Sequence, residues 1–264
     1  MGADELRRCV FLAVDGQPTH SAALGLVEGV MAGPMAPYTV GAKWNDALHA
    51  EGWGGAKIVG DTLTKFPELR GFLDIKGADV VDTIENILKR YKNIGPERLL
   101  VTISVHSSVA VFKALAKNWP RLNVITMGVP TDIALEDFEA RYGTTPAEAM
   151  KIWFRALTSQ FRRDMGDNEV WPSRYVISSL DMLEMYREEF PGVRPIVPGI
   201  RDAWMLKGAQ KRTAGTYDAL KAGAEFLVMG SQLFKGNSDA GISAADSQAR
   251  TADEIKRFIE GCIR

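Results

Sequence analysis

The chain has 264 residues, 32 Lys and Arg against 33 Asp and Glu, 46% hydrophobic and 9% aromatic residues. That length supplies a core for one large domain or two small ones, and the net charge of −1 excludes a broad basic surface for nucleic acid or anionic membrane. No apolar run approaches the ~20 residues that cross a bilayer.

The first residues, Met1-Gly2-Ala3-Asp4-Glu5-Leu6-Arg7-Arg8, lack the apolar stretch of a secretory signal, which predicts a cytoplasmic protein. The two cysteines, Cys9 and Cys262, read as buried small apolar residues, since a disulfide framework is not expected there. Three histidines, His20, His49 and His106, have no ligand spacing, so neither a structural zinc site nor a His-rich catalytic zinc site is expected. Walker A, Gly-x-Gly-x-x-Gly and Gly-x-Ser-x-Gly motifs are absent. Carboxylates and amines are left to carry any chemistry.

Short β-prone apolar runs recur along the chain, at 9–15, 39–44, 71–76, 99–105, 122–127, 174–178, 195–200 and 226–233. Helical-period segments follow most of them, at 21–31, 80–91, 109–119, about 134–165, 180–190 and finally 252–263. Only a short segment, through Leu48, is read after the second run. Eight alternations predict an α/β fold, the (β/α)8 or TIM barrel, whose usual size is about 250 residues. An open doubly wound sheet is the competing reading, but its glycine-rich first turn is missing. With no linker-like tract, one barrel domain over 1–264 is expected, carrying a longer helical insertion around 130–171.

In such barrels the C-terminal ends of the strands build the active site. Charge recurs there: Asp15 closes the first run, Lys43 lies late in the second, and Asp74 and Lys76 close the third, with Asp79 in the turn beyond and His106 after the fourth. Asp74 and Lys76, two apart, fall on one side of a strand. A single strand-terminal Asp is often just the N-cap of the next helix, and a single Lys there is often solvated. Five such residues on three consecutive strands point instead to an acid–amine array, because a buried carboxylate or amine is costly unless paired. His106 reads equally as a hydrogen-bonded structural residue. Met229-Gly230-Ser231 closes the eighth run, where a glycine lets backbone amides approach a ligand. The 201–212 loop, with Lys207, Gly208, Gln210, Lys211 and Arg212, reads as a lid or as a plain surface loop.

Taken together these residues resemble the orotidine 5′-monophosphate decarboxylase family. Asp74-Ile75-Lys76-Gly77-Ala78-Asp79-Val80-Val81-Asp82-Thr83 is similar to its Asp-x-Lys-x-x-Asp-Ile-Pro-Asn-Thr signature. Ala42-Lys43-Trp44, Val105-His106-Ser107, Pro198-Gly199-Ile200-Arg201 and Val228-Met229-Gly230 resemble further family segments, so the likeness runs from about Val10 to Leu233. The resemblance implies decarboxylation of orotidine 5′-monophosphate to UMP in pyrimidine biosynthesis, with no metal or other cofactor. It implies catalytic Lys43, Asp74, Lys76 and Asp79, with Lys76 as proton donor. It also implies a substrate site of Asp15, Thr83, His106, Pro198, Gly199, Arg201, Gln210, Gly230 and Ser231. The partner would be a pyrimidine nucleotide, and Asp79 would reach the neighbouring subunit's site in a homodimer.

Departures fall on the phosphate side. Ser231 stands where the family has an arginine, and a hydroxyl does not equal a bidentate Arg–phosphate contact. Ala209 replaces the Asp before the lid Gln, and Val81-Asp82 replaces Pro-Asn. Gly199 and Gly230 amides, Ser231, Arg201 or Lys235 remain as alternative phosphate donors. Two other readings stand beside the first: a sugar-phosphate decarboxylase or aldolase of the same superfamily using Mg2+ through these acids, and a non-catalytic pyrimidine-nucleotide binding protein.

Overall fold

The computed structural model describes residues 8–129, 133–166, 171–205 and 215–262. The apolar runs become strands β1 (Val10–Ala13), β2 (Thr39–Trp44), β3 (Arg70–Gly77), β4 (Leu99–Ser104), β5 (Asn123–Met127), β6 (Ser173–Ile177), β7 (Arg194–Pro198) and β8 (Phe226–Met229). Spatial order equals chain order, the sheet closes on itself, and the strands run parallel, as in a (β/α)8 barrel. Continuous burial along β4 and β8 is what parallel strands covered on both faces require.

The connecting helices are α1 (His20–Met31), α2 (Ala56–Lys65), α3 (Val81–Lys89), α4 (Val109–Asn118), α5 (Leu135–Tyr142), α6 (Pro146–Met165), α7 (Leu183–Glu189), α8 (Thr216–Lys221), α9 (Ser231–Phe234) and α10 (Ala244–Cys262). Their ends follow local chemistry. Thr19 and Ser108 hydroxyls accept the N–H groups of Ala22 and Ala110, each at 3.2 Å, and so cap α1 and α4.

The helical region expected at about 134–165 consists of two helices: Gly143 adopts φ +68 and closes α5, then Thr145 caps α6 with Pro146 in its first turn. Three sequence expectations are corrected. The eighth strand stops at Met229, because Gly230 turns the backbone and Ser231–Phe234 is helical. The last helix starts at Ala244, since its first turns bury Ser247, Gln248 and Thr251, polar residues that carry no apolar period. Cys262 is exposed, whereas Cys9 is buried. Among the described residues no helix is long and apolar enough to cross a membrane.

The described residues pack as two compact units, one up to Phe72 together with those from Ile196 onward, the other from Leu73 to Pro195. In the first, Phe11 meets Phe72 and Phe226 edge-on, with ring centroids 5.4 and 5.3 Å apart. Gly41 is obligatory beside it, because a Cβ there would lie 2.2 Å from the Arg70 carbonyl oxygen. In the second, Trp171 stacks on Phe112 at 4.7 Å and takes Phe161 on its edge at 5.1 Å. The Thr126 hydroxyl donates to Ser173 at 2.7 Å within the parallel β5–β6 pair.

Candidate active site

In the second unit β3 ends in an ion pair. The Lys76 ammonium donates to Asp74 Oδ2 at 2.8 Å. Asp74 is only 5% exposed, while the Lys76 side chain keeps 55% of its surface open. A buried carboxylate needs charge or hydrogen bonds to compensate lost water, and Asp74 has both: its Oδ1 accepts the Thr102 hydroxyl of β4 at 3.1 Å. The amine is held at one end yet remains reachable, the arrangement a proton donor needs.

Lys76 is the one non-glycine with positive φ among the described residues, at +49. The left-handed region costs a side-chain-bearing residue about 1–2 kcal/mol, and such strain gathers at functional positions. Two hydroxyls bracket this strained peptide. Thr102 Oγ1 accepts the Lys76 N–H at 2.9 Å, and the Ser107 hydroxyl donates to the Gly77 carbonyl at 3.1 Å. Gly77 sits close against its neighbours: a Cβ there would stand 2.8 Å from Ile84 Cδ1, and that side-chain end would have to move.

Asp79 lies exposed in the turn after β3, where its Oδ1 accepts the Val80 N–H at 2.7 Å. Thr83 sits half-buried in the first turn of α3. His106 is exposed and meets Trp153 of α6 edge-on at 4.4 Å, joining an aromatic group with Phe138 and Tyr142.

The first unit holds the other candidates. The Lys43 ammonium donates to Asp15 Oδ2 at 3.0 Å, and Asp15 Oδ1 accepts the Asn45 N–H at 3.0 Å. Strand pairing sets this geometry, because β1 and β2 run in register from Phe11 and Gly41 onward. Pro198 ends β7, and exposed Gly199 turns the chain with φ +74. Arg201 then reaches Ser231, its Nη1 donating to the hydroxyl beside Gly230. The residue after β7 thus brings a guanidinium to the Ser231 hydroxyl.

A buried network fixes that loop. Asp202 accepts Thr216 N–H at 2.7 Å, the Thr216 hydroxyl at 2.6 Å and Gln232 Nε2 at 2.6 Å. Its own N–H donates to Gln232 Oε1 at 2.9 Å, and Gln232 reaches Thr251 of α10 at 2.9 Å. Gln210 lies outside the described residues.

Thr102, Ser107, Asp202 and Gln232 escaped the sequence reading as site-shaping residues. Thr102 sits in an apolar run, where a β-branched residue looks like ordinary strand. Asp202 directly follows Arg201, and an acid immediately after so short a motif is the signal available. Elsewhere burial pushes the Cys9 thiol up to about 12, with Glu225 adding to it, so Cys9 stays a protonated core residue.

No protein-family model matches the chain. An orotidine 5′-phosphate decarboxylase of Nitrobacter winogradskyi is 24% identical over 197 residues, covering 74% of this chain and 73% of the relative. Another so named, from Frankia casuarinae, is 27% identical over 195 residues, covering 73% of this chain and 65% of the relative. A crystal structure of orotidine 5′-monophosphate decarboxylase from Methanocaldococcus jannaschii, complexed with inhibitor BMP, superposes with TM-score 0.61 at 16% identity. It covers 94% of this chain and 99% of that one, and at this identity it speaks to the fold. The relatives therefore carry the name of the family that the Asp74–Thr83 and Pro198–Arg201 segments resemble, and the solved structure shares its barrel.

Proposed function

We propose that this chain decarboxylates orotidine 5′-monophosphate to UMP, a step of pyrimidine biosynthesis. The observation that carries the reading is the Asp74–Lys76 pair: a buried carboxylate holding an accessible ammonium at 2.8 Å on a strained backbone. The bond between C6 and the carboxylate breaks, CO2 leaves, and the electron pair stays on C6. The Lys76 ammonium stabilises that developing carbanion and then gives its proton to C6, yielding UMP and a neutral amine that solvent reprotonates. Asp74 orients the ammonium and faces the departing carboxylate. Lys43, Asp79, Asp15 and Thr83 take the roles that the family resemblance assigns them: the first two complete the charged array, and the last two contact the ribose.

Arg201 replaces the missing arginine as the phosphate's guanidinium donor, together with the Ser231 hydroxyl that it already touches. Nothing in this scheme draws on a metal or other cofactor, so turnover in EDTA is expected to equal that without it. The homodimer belongs to the same proposal, because the resemblance gives Asp79 to a neighbouring subunit's site.

Following loss of the orotate chromophore tests the reading. Turnover by the unaltered protein, abolished in Lys76→Ala, is the expected result. Failure of micromolar protein to consume orotidine 5′-monophosphate refutes it, and nucleotide binding without turnover would leave a binding protein.

A further inference from the structure

We propose that Thr102 is a positioning residue for the Asp74–Lys76 pair, setting both partners through one hydroxyl. This rests on the proposed decarboxylation for its kinetic consequence, though not for its structural one. Thr102 is fully buried on β4. Its Oγ1 uses its proton on Asp74 Oδ1 at 3.1 Å and a lone pair on the Lys76 N–H at 2.9 Å. A hydroxyl is the group that can serve an acceptor and a donor at once. With the ammonium on Asp74 Oδ2 at 2.8 Å, the contacts form a ring: carboxylate, hydroxyl, Lys76 backbone, Lys76 side chain, and back to the carboxylate.

The ring explains two features otherwise unrelated. Asp74 must present one oxygen to the amine, and a bond to the other oxygen fixes its χ2, which is otherwise broad. Lys76 must keep φ +49, a conformation that persists only when its surroundings over-determine it. Thr102 grips the amide before that residue's Cα, and Ser107 grips the carbonyl of Gly77 just after it. Valine at position 102 would fill nearly the same space without offering either bond, so packing alone does not call for threonine.

The test pairs Thr102→Val with Thr102→Ser. Crystal structures of both, without ligand, read the geometry directly. Lys76 should leave the left-handed region or lose its Asp74 contact in Thr102→Val and keep both in Thr102→Ser. An unchanged pair in Thr102→Val overturns the proposal whatever the activity.

Kinetics supply the second readout. With orotidine 5′-monophosphate, kcat should fall about 10- to 100-fold in Thr102→Val, the loss expected for one hydrogen bond to a charged group, with KM within about twofold. Thr102→Ser should recover most of it. A rise in KM at unchanged kcat, or equal losses in the two variants, overturns the assignment. If Thr102→Val does not fold, Thr102→Ala against Thr102→Ser makes the same comparison. If the unaltered protein leaves the nucleotide untouched while Thr102→Val still loses the pair, the substrate reading fails and the positioning role stands.

Discussion

Replacing Lys76 by glycine should give a more stable protein than replacing it by alanine, the reverse of what a strand position normally does. Both substitutions take the same ammonium from Asp74, so that cost cancels in their difference. What remains is the backbone. Alanine at φ +49 keeps a left-handed strain of about 1–2 kcal/mol, which glycine does not feel. Against this, glycine's greater freedom in the unfolded chain costs roughly 0.5–1 kcal/mol. The balance favours Lys76→Gly by roughly 0–1.5 kcal/mol, centred on about 0.75 kcal/mol. Urea unfolding followed by tryptophan fluorescence reads it as the difference in midpoints, provided the two curves share a slope. A glycine variant less stable than the alanine one would mean that Lys76 is not held in the left-handed region. The strain invoked at the site would then be absent.

The phosphate side has its own pair of variants. Arg201→Ala should raise KM about 10- to 100-fold with little change in kcat, as befits a hydrogen bond to a charged group, while Ser231→Ala should cost about 2- to 10-fold. Equal effects, or none, in steady-state assays would remove Arg201 from the phosphate. The thiols separate by burial: in native protein at pH 8 a disulfide reagent should titrate one cysteine, Cys262, and in denaturant two. Since burial raises the Cys9 pKa to about 12, its thiolate is scarce at that pH, and two rapid native reactions would contradict the packing around it.

The eight strands were legible because each is a compact apolar run, and Thr39–Trp44 falls at its predicted bounds. Helices with mixed faces were harder. Helix α2 buries Ile58, Val59, Thr62 and Leu63, yet it follows a Gly-rich stretch at 52–55 that reads as loop and hides the helix beyond it. The Asp74–Lys76 contact followed from a spacing of two, a rule that strand alternation makes dependable. Its backbone strain did not, because positive φ is announced by glycine or asparagine and here a lysine bears it. The Arg201–Ser231 contact spans thirty positions, and nothing local couples them.

The two bonds between Thr216 and Asp202, at 2.6 and 2.7 Å, pin together the chain on either side of residues 206–214. Arg201 is held from Asp202, one residue away, and owes its position to that clasp instead of to the length of chain between. Lengthening a connection costs only about 0.6 kcal/mol per doubling. Evolution or a protein engineer can therefore extend or replace 206–214, or open new chain termini there, and leave the guanidinium where it is. If Arg201 holds the substrate's phosphate as proposed, the sequence of that segment can change while the phosphate contact stays.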